Sequence, residues 1–285
     1  GLLALLLALA ACTPRQLMVQ EAASALASQG QAAEDDLVLA REASAFYLKL
    51  SESVLRETPG NVPLAVAVAS GFTQYAYAFV QFEADRMDAK DAQAAQKLRV
   101  RAARLYQRAQ RHAMTALEVQ NPGFAKALAS ATPVSWPRLA SDQVVLAYWA
   151  AASWGGQIAL SKDQANVVAD LPLAIRLAQL AYAAAPEQGR GALASLLGTF
   201  EAAQPGGSNQ RAADYFDEAI RLGAGHSAAP FVAKAESLAL PASDRPTFER
   251  LLQDALAIGA AHPDLQNNLM RERALWLLDT ADDLF

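Results

Sequence analysis

The chain has 285 residues, 53% hydrophobic and only 19% charged, with a net charge of −5. That length supplies a sizeable core, as one extended domain or two small ones, and the acidic balance gives no reason to expect nucleic acid. Alanine and leucine dominate, β-branched runs are missing and no Asn-Gly or Asp-Gly hairpin turn occurs, so the chain reads as all-α.

Residues 2–11, LLALLLALAA, are too short to span a bilayer and look like the apolar region of a secretory signal. They end Leu9-Ala10-Ala11-Cys12, which resembles the bacterial lipoprotein signal box, where the cysteine becomes the first residue and is diacylated. An ordinary apolar leader with a chance cysteine is the alternative. No cationic stretch precedes the apolar run and the chain starts at Gly1, so the sequence is expected to continue upstream. Cys12 is the only cysteine, which forbids an intramolecular disulfide. Standing alone at the one lipidation-compatible position, it reads as an anchor. Residues 1–11 are accordingly assigned to a signal peptide and 12–34 to a tether rich in alanine, serine and glutamine, with room for one short helix. Residues 35–285 form the helical domain.

Asp35 and Asp36 open an amphipathic helix to about residue 57, the acids favourable at its N-terminus, with Leu39, Ala43, Phe46, Leu50 and Leu55 as its apolar set. Thr58-Pro59-Gly60-Asn61 stops it. Residues 63–82, PLAVAVASGFTQYAYAFVQF, carry no charge and read as a helix entering a core. The next helix, 88–120, turns Leu98, Ala102, Leu105, Ala109, Ala113 and Leu117 inward. Lys97, Arg101, Arg104, Arg108 and Arg111 form a cationic stripe along it. The stripe is either a docking strip for an acidic partner or a solvated face whose neighbours supply the acids.

Prolines at 133 and 137 break the chain before a second segment without charge, between Asp142 and Lys162. It is apolar on all sides, which fits a buried core helix, and Gln143, Ser153, Gln157 and Ser161 argue against a membrane span. Gly155 and Gly156 stand side by side in it, each costing about 1 kcal/mol of helix stability relative to alanine. Close approach of another backbone accounts for them, and the helix 63–82 is expected to cross there. Trp149 shares a face with Gly156. The two uncharged helices would cover each other, the charged ones packing around them.

Beyond the break at Ala169-Asp170-Leu171-Pro172 the spacing is regular: Ala181, Ala219 and Ala255, near the ends of three helices, recur every 36–38 residues. Ala212-x3-Phe216-x2-Ala219 is written like the second helix of a tetratricopeptide repeat, whose period is near 34. The fold expected is an α-solenoid of cryptic tetratricopeptide-like helix pairs around two uncharged core helices, capped by residues 265–284.

No catalytic constellation is legible. His112, His226 and His262 lie far apart in sequence, and no GxSxG, GxxxxGK[ST] or HExxH occurs. Neither an enzyme, a metal site nor a cofactor is read here. The unusual feature is the uncharged polar and aromatic density on the two core helices. It is either a satisfied core network or the lining of a cavity with aromatic walls and a few polar hooks. Gln74, Tyr77, Gln81, Trp149 and Gln157 are singled out as ligand or pore residues on the second reading.

Gly71-Phe-Thr-Gln-Tyr-Ala-Tyr-Ala-Phe-Val-Gln81, then Glu83-Ala-Asp85, resembles the hallmark helix of the T-component of tripartite ATP-independent periplasmic (TRAP) transporters. Similar likeness lies in YWAAASWG, Leu160-Ser-Lys-Asp163, Ala169-Asp-Leu-Pro172, Ala235-Glu236 and Ala274-x-Trp276-Leu277-Leu278, so that it covers roughly residues 35–285. The resemblance implies a periplasmic lipoprotein of cryptic tetratricopeptide-like pairs, a homo-trimer with a central pore. It further implies a partner, the solute-binding P-component, and hydrophobic ligands. It supplies no catalytic residues. The competing function is an envelope scaffold, a lipoprotein that docks proteins without transport. On the lipoprotein reading, Cys12→Ala is expected to release the protein from the membrane fraction, since two acyl chains at about 0.8 kcal/mol per CH₂ are its hold. Retention after a high-salt wash counts against it.

Overall fold

Side-chain oxygens start most of the long helices. Asp36, Asn61, Asp91, Ser208, Asp244 and Asp264 each accept a backbone N–H from the first turn that follows, satisfying donors that a helix end leaves without partners. In the computed structural model, which describes residues 14–29 and 36–285, these caps set an all-helical fold, and no strand occurs among the described residues. The signal-peptide assignment for 1–11 and the anchor Cys12 lie outside the described residues.

The helices are α1 (Pro14–Gln29), α2 (Leu37–Glu57), α3 (Val62–Tyr75), α4 (Phe82–Met87), α5 (Ala92–Gln120), α6 (Phe124–Leu128) and α7 (Val144–Ala159). After them come α8 (Ala165–Val168), α9 (Leu171–Ala184), α10 (Ala192–Ala203), α11 (Asn209–Gly223), α12 (Ala229–Lys234), α13 (Arg245–Ala261), α14 (Leu265–Asp279) and α15 (Ala281–Leu284). A π-helical turn, Ala76–Gln81, joins α3 to α4 without a break, and a second, Ala235–Ala239, extends α12. In each the backbone reaches back five residues, as in Phe82 N–H to Tyr77 O and Leu240 N–H to Ala235 O. The uncharged helix expected at 63–82 thus exists, but its last turn is π and the rod runs on to Met87.

Consecutive long helices pack on one another along the chain. In addition α1, α3, α7, α10, α12 and α14 touch in sequence, forming an inner row, whereas α2, α5, α9, α11 and α13 meet one another little and form an outer row. Chemistry follows position: α3 and α7 carry no charge and α10 only Glu201, while α5 and α11 carry theirs on the outside. Every buried hydrophobic residue described lies between Ala23 of α1 and Ala281 of α15. The run Ala165–Ala184 is long and apolar enough to cross a membrane by length and composition. Its α9 part buries Ala174, Leu177, Ala178 and Ala181 in the core.

Helix α5 buries Ala102, Ala109, Ala113 and Leu117 as its periodicity predicts, with Leu98 and Leu105 half-buried. Helix α2 does not follow its pattern. Of its apolar set only Leu55 is buried; Leu39, Phe46 and Leu50 are exposed, and the inward side is Ala40, Leu48, Ser51, Glu52 and Leu55. A buried ion pair turns the helix over. Glu52, with 4% of its side chain exposed, is gripped by both arms of Arg108, by His112 Nε2 at 2.8 Å and by Lys49 Nζ at 2.8 Å. Burial alone would raise its pKa, but Arg108, Lys49 and His112 outweigh that and hold it well below the usual carboxylate range.

The glycine pair has different partners from those expected. Helix α3 does pack on α7, but aromatic rings, not its backbone, fill the space over the glycines. A methyl at Gly155 would stand 2.6 Å from Cε1 of Phe200 in α10, and one at Gly156 2.9 Å from Cε1 of Tyr106 in α5. Both distances are shorter than carbon atoms tolerate, so the glycines make room for rings. Gly156→Leu is expected to cost about 1–3 kcal/mol by overpacking, read as a drop of several degrees in Tm. An unchanged Tm would mean that the ring has space to move aside.

Candidate functional site

Tyr106 joins the two uncharged helices. Its hydroxyl donates to Gln81 Oε1 at 2.7 Å, and its ring covers Gly156, the residue before Gln157. Burial drives the Tyr106 phenol far above its ordinary pKa, so it stays a neutral donor. Tyr77, one π-turn before Gln81, packs against both the Ala76–Val80–Tyr106 cluster and the C-terminal cluster around Phe248, Leu252 and Leu277. Burial, reinforced by the Glu236 carboxylate, raises its pKa strongly. Even so, its side chain is not sealed and makes no hydrogen bond among the described residues. Gln157 is 9% exposed; its amide makes no hydrogen bond among the described residues and stays open to solvent, the one sealed side-chain atom without a partner there being Arg271 Nε.

The sequence candidates therefore divide. Tyr77, Gln81 and Gln157 belong to the interior where α3, α5 and α7 meet. Trp149 stands two turns earlier on α7, half-buried, edge-on to Tyr148 at 4.8 Å; burial alone pushes the Tyr148 phenol up to about 12. Gln74 is exposed and lies apart from that interior. It lies on the side of α3 opposite the buried Val68 and Phe72, a face that an uncharged sequence does not mark.

Next to Tyr77 is a charged cluster that spacing could not disclose. Arg273 of α14, 9% exposed, donates through Nη1 to Asp85 Oδ2 at 2.7 Å and through Nη2 to Glu236 Oε1 at 2.6 Å. Its guanidinium lies 4.9 Å from the ring centre of Phe82 and 4.8 Å from that of Trp276, and those rings meet edge to face at 5.6 Å. Burial pulls its pKa down, but Glu236, Tyr77 and Asp85 overcome this and raise it. A second bridge, Arg86 to Glu272 at 3.2 Å, lies alongside. Together these contacts bring the last long helix back to the end of the first uncharged one. Both π turns border the cluster: Asp85 follows one and Glu236 lies within the other. Such turns gather at functional sites.

No group of three or more His, Cys, Asp or Glu side chains placed to hold a metal occurs among the described residues. His226 and His262, distant in sequence, do meet with Nδ1 atoms 3.2 Å apart. Buried Asn267 holds their two turns together by donating to both backbone carbonyls, at 3.0 and 2.7 Å. The interior thus offers aromatic rings, amides and a saturated ion cluster, with no nucleophile–base pair among the described residues.

Residues 33–285 match the family described as TRAP transporter T-component. The chain belongs to that family. It is also 28% identical over 262 residues to an uncharacterized protein of Treponema pallidum (strain Nichols), an alignment covering 88% of this chain and 81% of the relative. As a T-component the chain is an accessory part of a TRAP transport system. Three of the stretches that carried the resemblance, Glu83-Ala-Asp85, Ala235-Glu236 and the helix of Trp276, are drawn together by Arg273.

In this T-component, Arg273→Met would leave two carboxylates facing each other with no cation. Removing one partner of a buried pair costs about 3–5 kcal/mol, and the partial exposure of Asp85 and Glu236 puts the expectation at the lower end. Adding Asp85→Asn and Glu236→Gln to Arg273→Met is expected to recover part of the loss in urea melts. Additive effects would mean that the three do not act as a unit.

Proposed function

We propose that this T-component is a lipid-anchored periplasmic homo-trimer that binds the solute-binding P-component and passes a hydrophobic small molecule through its centre. In this reading the helices form a solenoid of tetratricopeptide-like pairs, α3 with α5, α7 with α9, α10 with α11 and α12 with α13. Its inner row closes where α14 meets Asp85. The absence of charge from α3 and α7, with only Glu201 on α10, beside the outward charges of α5 and α11 supports it.

The observation that carries the transport reading is Gln157, a residue nine-tenths buried on the helix that faces Tyr106, whose amide makes no hydrogen bond among the described residues and stays open to solvent. An amide that only solvent reaches inside such an interior can exchange its water for a ligand, and a passing molecule with one polar group would take that water's place. Tyr77, deep and yet not sealed, adds a donor beside aromatic rings. Sparse polar groups among rings suit an apolar solute with one polar end. The chain has no phosphate-binding loop, so on this reading directionality comes from the transport partners.

The test mixes the chain with the solute-binding protein encoded beside it, with light scattering for the complex and native mass spectrometry for bound apolar molecules. Association at micromolar concentration, and a ligand lost or weakened in Gln157→Leu, are expected. A complex without any bound molecule would favour the scaffold function, and no complex would end the proposal.

A further inference from the structure

The cationic stripe of α5 meets only part of the expectation that neighbours neutralise it. Arg108 is taken by Glu52, and the nearby Arg99 is paired with Asp88. Lys97, Arg104 and Arg111 are exposed and have no carboxylate within ion-pair distance among the described residues; Arg101 has only the Tyr75 ring at 6.0 Å. From residue 92 to 117 the helix has no acidic residue at all, in a chain whose net charge is −5. The free cations fall on one line, about 21 Å long at 1.5 Å per residue.

Beside it runs the face of α2 that its own periodicity would have buried. Phe46 is 69% exposed, Leu39 51% and Leu50 41%, at the spacing of one helical face. The Glu52 ion cluster ties α2 to α5 through side chains, although their backbones meet little. Helix α2 is itself charge-balanced, with Arg41, Lys49 and Arg56 against Glu42, Glu52 and Glu57. The pattern is therefore an apolar line next to a basic line on an outward surface.

We propose that the outer face of α2 and α5 lies against an anionic phospholipid surface, the cations on headgroups and Phe46, Leu39 and Leu50 in the boundary below them. Apolar and basic lines side by side are how peripheral helices hold an interface, and each Lys or Arg near an anionic leaflet contributes about fivefold in binding. A protein partner would need a groove or a projecting acidic ridge to match, whereas a bilayer matches an outward face directly. The proposal rests on the lipoprotein reading only for which surface is near: Cys12 precedes α1, which packs on α2. Acylation holds the chain at the membrane, and this face would fix which side it turns to it.

The test uses the mature chain from residue 12 with Cys12→Ser, which removes acylation but keeps the described core. It is sedimented with vesicles of phosphatidylcholine, with and without phosphatidylglycerol. Binding only to the anionic vesicles, weakening with salt, is expected. Lys97→Gln with Arg104→Gln should weaken it on the order of twentyfold, and Phe46→Ser should weaken it at every salt concentration. These residues are exposed, so Tm should stay unchanged and confirm folding. No binding to anionic vesicles, or binding indifferent to the charge change, overturns the proposal. So does an oligomer dissolved by Phe46→Ser without vesicle binding, which would assign the face to a second copy. The acylated chain on neutral vesicles reads the anchor alone, so failure of the lipoprotein reading is seen separately.

Discussion

One buried guanidinium decides the architecture. Arg273 is drawn out of water between Asp85 and Glu236 and rests against the touching rings of Phe82 and Trp276. Desolvation makes a buried cation costly, and only full pairing with good geometry offsets that. The residues that provide it come from three widely separated parts of the chain. The pairing can therefore form only when the last long helix has returned to the first uncharged one. A stack of helices held only by nearest neighbours would leave its two ends free. Here they are coupled through a contact that no single helix pair contains.

A second buried ion cluster, at Glu52, works on the outer row. It fixes the rotation of α2 about its axis, and it does so against the helix's own hydrophobicity. The consequence is an apolar line left outside. Burial of charge in one place and exposure of phenylalanine in another are two results of the same rotation. Inside, rings take the space that paired glycines leave, and Tyr106 serves both packing and polarity by covering Gly156 and donating to Gln81.

Much of the fold was legible from residue order. Proline and glycine at 58–61, 121–123 and 169–172 fall at helix ends, and the alanines at 181, 219 and 255 are all fully buried. The inward line of α5 also follows its spacing. The α2 face was misread because periodicity weighs only apolar residues, while an ion pair to a helix more than fifty residues away set the orientation. The glycines indicated close approach but not what approaches: a ring and a backbone leave the same mark in sequence. At the candidate site the amides and Tyr77 stood out in the sequence because polar groups on an uncharged helix are conspicuous, and the structure places Tyr77 and Gln81 beside Tyr106. The exposure of Gln74 was not legible, because such a helix gives no polar side by which to orient it. Arg273 was hidden in a charged helix, 188 residues from Asp85.

The π turn at Ala76–Gln81 has a geometric consequence of its own. A π turn accommodates an additional residue within a helix, so the side chains beyond it are out of phase with those before it by roughly the 100° that one residue subtends. Val68 and Phe72 keep step with the core of the first half, whereas Phe82 and Asp85 are indexed to α14. The same rod thus speaks to two neighbours in two registers. Length along this segment is consequently more constrained than composition. The half-buried Ala78 can give way to other apolar side chains, but losing one residue would swing Asp85 off the axis of Arg273 and leave the last long helix without its partner on the first uncharged one.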